Sequence, residues 1–183
     1  MNDNNEMGAR FEIFIEALFN AYGLQNVRRD VEFRKLNPYY RPGRPGEPKY
    51  IRRQCDITYD IVKEGNLYLA AAELKYTSNG QVSYSFRDGP KRKKGQMIPR
   101  IGNLVDEVYE RQLFIEAYLS LLVTNKKFQK KVKKEAEKRG IKVMEGNDLQ
   151  AIIRKLGGKY SVDDYLVNIR TEDYDLRSDI RKV

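Results

Sequence analysis

The sequence contains no histidine and only one cysteine, Cys55, in 183 residues. Without histidine there is no Ser-His-Asp or Cys-His nucleophile, no imidazole general base and almost no route to a zinc site. A lone cysteine excludes an internal disulfide framework and fits a reducing cytoplasm. No run of about 18 apolar residues is present, so no helical membrane span is expected. The opening MNDNNEMGAR has neither the basic nor the apolar region of a secretory signal. No internal repeat is visible. Any catalytic metal must therefore be held by carboxylates and carbonyls, which selects magnesium or manganese.

What the chain has in abundance is positive charge. Thirty-five Lys and Arg against 26 Asp and Glu leave a net charge of +9. That balance favours an anionic partner, nucleic acid before membrane. The length suits one domain with an appendage and is enough to bury a core.

The stretch from Cys55 to Tyr76, CDITYDIVKEGNLYLAAAELKY, carries the chemistry. Cys55, Ile57, Tyr59 and Ile61 alternate with Asp56, Thr58 and Asp60, the period of a half-buried strand. Leu67 to Tyr76 is a nearly continuous apolar run ending in Glu73-Leu74-Lys75. Lys63-Glu64-Gly65-Asn66 between them reads as a hairpin connection. If Val62 faces Leu67, Thr58 faces Ala71 and Asp56 faces Glu73. Opposed antiparallel residues share a side with Cβ atoms roughly 4.5–5.5 Å apart, and Lys75 points the same way as Glu73. Two facing carboxylates repel unless something positive lies between them, and a hard divalent cation suits such oxygen ligands. The bland alternative is an edge-strand aspartate with a surface Glu-x-Lys pair. Ala70, Ala71 and Ala72 argue against it, because they suit a strand covered on both faces.

Around this hairpin the periodicity predicts a helix over residues 8–22, with Phe11, Phe14, Ile15, Leu18, Phe19 and Tyr22 on one face. Glu12 borders that stripe, and either offsets the helix dipole or reaches inward past the core. A strand follows at residues 27–33. Residues 36–49 form a Pro/Gly-rich loop whose tyrosines and arginines suit either a nucleic-acid surface or a tolerated insertion. Val82, Tyr84 and Phe86 alternate as a short strand.

Lys91, Arg92, Lys93 and Lys94, with Arg100 just beyond, form a basic loop that contacts phosphates or serves as a solubility tract. A helix is predicted over residues 101–116 with Leu104, Val105, Val108 and Leu113 facing the sheet, then a buried strand at 118–124. Asn125 is expected to cap a lysine-rich helix over 126–139. Its first-turn Lys126 and Lys127 oppose the macrodipole and point to DNA, although most such faces are simply solvated. A strand at 141–144 and a helix at 148–156, capped by Asn147 and Gln150, complete a domain of residues 1–156. Gly157-Gly158 opens an extension, residues 157–183, read as a packing or dimerisation arm.

This succession, a helix with Glu12, a hairpin with Asp56 and Glu73-Leu74-Lys75, then helix, strand, basic helix, strand and helix, resembles the PD-(D/E)xK nuclease superfamily. Within it the likeness is to Mrr-type restriction endonucleases and archaeal Holliday-junction resolvases. Gly8-Ala9-Arg10-Phe11-Glu12 is similar to the first-helix motif. Val123-Thr124-Asn125, Gly140-Ile141 and Gly146-Asn147-Asp148-Leu149 are similar to the Mrr-type tail. The resemblance spans about residues 8–156.

It implies a restriction-endonuclease-like α/β fold, a mixed sheet flanked by α-helices, and a homodimeric, Mg2+-dependent DNA endonuclease in which Mn2+ substitutes. Asp56, Glu73, the Leu74 carbonyl and Glu12 would bind the metal, and Lys75 would orient or deprotonate the attacking water. Cys55 stands where the motif has proline. The modified-base-reading domain usual in Mrr-type enzymes is not in this sequence. A DNA-binding module without catalysis is the alternative.

Overall fold

The computed structural model of the protein describes residues 3–43, 46, 48–78, 80–85 and 102–169. Five strands form a mixed sheet. They are β1 (Gln25–Leu36), β2 (Tyr50–Lys63), β3 (Asn66–Lys75), β5 (Leu119–Thr124) and β7 (Lys142–Met144), in the order β1-β2-β3-β5-β7. The first three pair antiparallel, whereas β3, β5 and β7 run parallel. Two short strands, β4 (Gln81–Val82) and β6 (Lys127–Phe128), pair with each other outside this sheet. The chain is therefore mixed α/β, and no helix among the described residues is long and apolar enough to cross a membrane.

Helices cover both faces. On one lie α1 (Asp3–Tyr22), α4 (Gly146–Lys155) and α5 (Val162–Asn168), sharing a core with Ile57, Tyr59, Ala70, Ala72, Leu74, Leu121 and Val123. On the other lie α2 (Leu104–Ile115) and α3 (Lys130–Lys138), packed on Leu122, Phe128 and Ile141. Phe11, Phe14, Ile15 and Leu18 are fully buried beneath α1, each contributing about 1.5–3 kcal/mol. Val162, Tyr165, Leu166 and Ile169 join that same core, so the stretch after Gly157-Gly158 packs onto the domain as far as Ile169.

The hairpin register is as expected through Val62↔Leu67, Asp60↔Leu69 and Thr58↔Ala71. Its turn is a two-residue loop, with Glu64 at φ 53° and Gly65 at φ 80°. Two positive φ values match the right-handed twist of the flanking strands.

Several expectations are corrected. Tyr22 is 45% exposed rather than core, its ring lying beneath the Lys155 ammonium. Leu113 is 60% exposed. Asn125 caps no helix: its side-chain amide donates to the Thr77 carbonyl and its oxygen accepts the Thr77 N–H. Helix α3 starts only at Lys130 because Lys127–Phe128 is taken by β6, whose Phe128 N–H donates to Glu145 at 2.7 Å. Glu145 and Asp148, not Asn147 and Gln150, form the capping box of α4.

Candidate active site

Cys55 and Ile57 should share a face on a regular strand, yet Ile57 packs under α1 while Cys55 packs with Ala71, Ile115 and Ala117 on the α2 side. β1 changes sides too: Arg29 reaches Glu16 of α1, whereas Phe33 joins the Cys55 cluster. Between these positions Asp30 adopts φ 61°. The two strands turn over together at Asp30 and Asp56. This twist makes the site.

It also corrects the expected opposition of Asp56 and Glu73. Regular pairing of β2 with β3 ends at Ile57↔Ala72. The Asp56 carboxylate instead accepts the Leu74 N–H at 2.7 Å, bridging the splayed strand ends where a ladder bond would have been. Leu74 turns its own side chain into the α1 core.

Glu73 lies at 5% exposure facing α2. Its carboxylate accepts from Lys75 Nζ at 2.6 Å and from the guanidinium of Arg111, which also reaches Glu107 at 3.2 Å. A buried carboxylate requires such partners, because an unpaired charge in this environment would cost several kcal/mol.

Glu12 approaches from the α1 side. Burial, helped by the negative charges of Asp56 and then Asp30, raises its carboxyl to about 7. Arg29 and Lys75 act against this rise. Glu12, Asp56 and Lys75 therefore occupy one electrostatic neighbourhood at the end of the sheet. The carboxyl of Glu12 is poised to exchange a proton near neutral pH.

Whether a hard cation fits can be judged from the donors. Among the described residues no three acidic, cysteine or histidine side chains close on a single point. Magnesium does not need three: it is commonly held by one or two carboxylates, several waters and a substrate phosphate. Glu12 and Asp56 supply two carboxylates whose mutual repulsion a cation would relieve. The donor set fits, with Glu73 occupied by Arg111 and Lys75.

The cations expected at DNA divide differently. Lys91, Arg92, Lys93, Lys94 and Arg100 lie outside the described residues. Lys126 pairs with Asp163 at 2.5 Å, which ties the bend between β5 and β6 to α5. Lys127 is exposed on β6.

No protein-family model and no curated protein matches the chain. Solved structures do. The protein of unknown function AF1548 superposes with a TM-score of 0.54 at 14% identity, covering 81% of this chain and 66% of its own. The likeness is one of fold. VC1899 from Vibrio cholerae (TM-score 0.45, 13% identity) and the DNA modification-dependent restriction endonuclease AspBHI (TM-score 0.41, 20% identity) cover 82% and 86% of this chain. At those scores neither carries an argument about function. The chain spans 66% of AF1548 and about a third of the other two, 31% and 34%.

Three residues of the site escaped the sequence: Arg111, Glu107 and Asp30. Arg111 could have been found. It falls on the apolar stripe of α2 between Val108 and Ile115, where a guanidinium needs a buried anion. Nothing in the sequence marks Asp30.

Proposed function

We propose that this chain is a Mg2+-dependent DNA endonuclease that hydrolyses phosphodiester bonds of duplex or branched DNA. The observation carrying the proposal is the convergence of Glu12, Asp56 and Lys75 where β2 and β3 separate, within a strongly basic chain. Asp56, Glu12 and the Leu74 carbonyl would hold the cation, and Glu73 would enter the set by exchanging one of its two cationic partners. When bound, magnesium neutralises charge on the scissile phosphate and lowers the pKa of its water.

The chain's own groups do the rest. Lys75 spends one of its three N–H donors on Glu73, leaving two to orient a water or a phosphate oxygen. Asp56 is fixed by the Leu74 N–H, so its second oxygen stays free to face the ligand. Arg111 places a compensating charge behind Glu73. Two copies about a two-fold axis would address both strands.

The experiment is cleavage of plasmid and four-way-junction DNA with Mg2+ or Mn2+, by wild type, Asp56→Ala and Lys75→Ala. Cleavage confined to wild type is expected; equal cleavage by both variants overturns the reading. One observation favours a second reading, a DNA-binding module without catalysis: both oxygens of Glu73 are already engaged by cations. It requires salt-dependent binding with no cleavage in any divalent metal.

A further inference from the structure

Beyond the twist at Asp30 and Asp56, β1 and β2 continue as a two-stranded ribbon through Glu32↔Gln54, Phe33↔Arg53, Arg34↔Arg52, Lys35↔Ile51 and Leu36↔Tyr50. Its α2 side is anchored. Arg53 forms a two-point ion pair with Glu110 (2.9 and 2.5 Å), and Lys35 meets Glu116 at 2.5 Å. Both cations also lie over the Phe114 ring.

The other side is open and differently composed. Glu32, Gln54, Arg34, Arg52, Leu36 and Tyr50 alternate onto it, and all six are exposed. Arg34 and Arg52 stand directly opposite one another, a like-charge pairing that destabilises a sheet. One carboxylate, Glu32, serves both, at 2.5 Å from Arg34 and 3.9 Å from Arg52. Lys49 adds a third cation over the exposed ring of Tyr50. Folding gains little from such exposed pairs, so this face carries a net positive charge that the fold itself leaves uncompensated.

The face also points at the site. Gln54 donates to Asp30, the residue at the twist whose charge acts on Glu12. Arg52 is four residues from Asp56, about 13 Å along a strand at roughly 3.3 Å per residue. Each strand of a duplex advances about 3.4 Å per nucleotide along the helix axis, so a ribbon lying along that axis would span about four base pairs between the arginine pair and the carboxylates.

We infer that the outer face of the β1–β2 ribbon, centred on Arg34 and Arg52 with Lys49 and Tyr50, is a docking surface for the phosphate backbone of duplex DNA beside the reacting phosphodiester. A twisted two-stranded ribbon suits a duplex groove. Glu32 is the internal anion that the DNA phosphates displace. The inference rests on the nuclease reading for its partner, but its test needs no cleavage.

Binding of a labelled 25-base-pair duplex is measured by fluorescence anisotropy in EDTA across a salt series. Four variants are compared with wild type: Arg34→Ala/Arg52→Ala, Arg34→Lys/Arg52→Lys, Glu32→Gln, and Arg154→Ala/Lys155→Ala on exposed α4 as a charge-matched control. The double alanine variant should bind at least tenfold more weakly, with the slope of log affinity against log salt reduced by about two. The lysine variant should retain most of the affinity, and Glu32→Gln should bind more tightly than wild type.

Unchanged affinity and slope in the double alanine variant would overturn the inference. So would an equal loss in the α4 control, or single-stranded DNA binding as tightly as duplex with the same dependence on Arg34 and Arg52. Should the double alanine variant melt early, Glu32→Gln decides alone: no gain in affinity overturns the proposal. Intact binding with no cleavage under magnesium would remove the nuclease reading and leave this surface standing.

Discussion

Arg111 holds Glu73 from across the α2–sheet interface, a guanidinium from a helix closing on a carboxylate from the central strand. Both side chains are largely withdrawn from water, at 14% and 5% exposure. Removing one partner of such a pair costs about 3–5 kcal/mol, because the other charge stays buried. Lys75 still pairs with Glu73, so Arg111→Met should cost less, about 2–3 kcal/mol, and lower the melting temperature by roughly 4–12 °C. Adding Glu73→Gln to Arg111→Met should recover part of that loss. A double-mutant cycle in urea measures the coupling.

Glu12 makes stability depend on pH. Its folded-state pKa of about 7 lies above the ordinary 4.5, so the folded chain binds the extra proton between those values. Its contribution is full below pH 4.5 and is lost as pH rises through 7. In EDTA, Glu12→Gln should narrow the stability difference between pH 5.5 and 8.5 by about 1–2 kcal/mol, after allowing for solvent screening of a half-buried group. Denaturant midpoints at the two pH values give the result. An unchanged difference would show that Glu12 titrates normally.

Metal occupancy should register as thermal stabilisation. At a free Mn2+ concentration of 100 times its dissociation constant the gain is about 2.7 kcal/mol. Wild type should gain several degrees, Asp56→Ala should gain none, and EDTA should reverse the shift. An equal shift in Asp56→Ala would place the ion elsewhere.

Burial pushes the Cys55 thiol up to about 11, and its side chain is 1% exposed. The thiolate is the reactive form, so a disulfide reagent at pH 8 should modify Cys55 only as fast as the protein opens. The rate should rise steeply with urea. Fast modification without urea would show that the twist at Asp56 opens locally.

Gly146 begins α4 against the backbone of Asn125. A Cβ there would meet the Asn125 carbonyl oxygen at 2.2 Å, and that atom belongs to backbone that cannot turn away. Gly146→Ala should cost about 1–3 kcal/mol by forcing the start of α4 away from the bend after β5. Calorimetry of the purified variant tests it.

Much of the fold was legible because it rests on periodicity. The stripe from Phe11 to Phe19, the alternation of β2, the apolar run of β3 and the turn at Glu64-Gly65 all follow from which residues must leave water and which φ values a residue tolerates. The onset of α3 was not legible, because it depends on Lys127–Phe128 pairing with a strand about 45 residues earlier. Asn125 reads as a cap for the same reason: its real partners, Thr77 and Asp163, are adjacent only after folding.

The sequence alone determined that any metal chemistry must use carboxylates, and that Glu73 and Lys75 share a side of their strand, where they now meet at 2.6 Å. Tertiary structure alone decided that Asp56 would bridge to the Leu74 N–H, that Glu12 would come close enough to feel its charge, and that Arg111 would hold Glu73. The reason is physical. Residue spacing fixes direction within one element, whereas a strand twist at Asp30 and the packing of two helices on opposite faces set distances between elements.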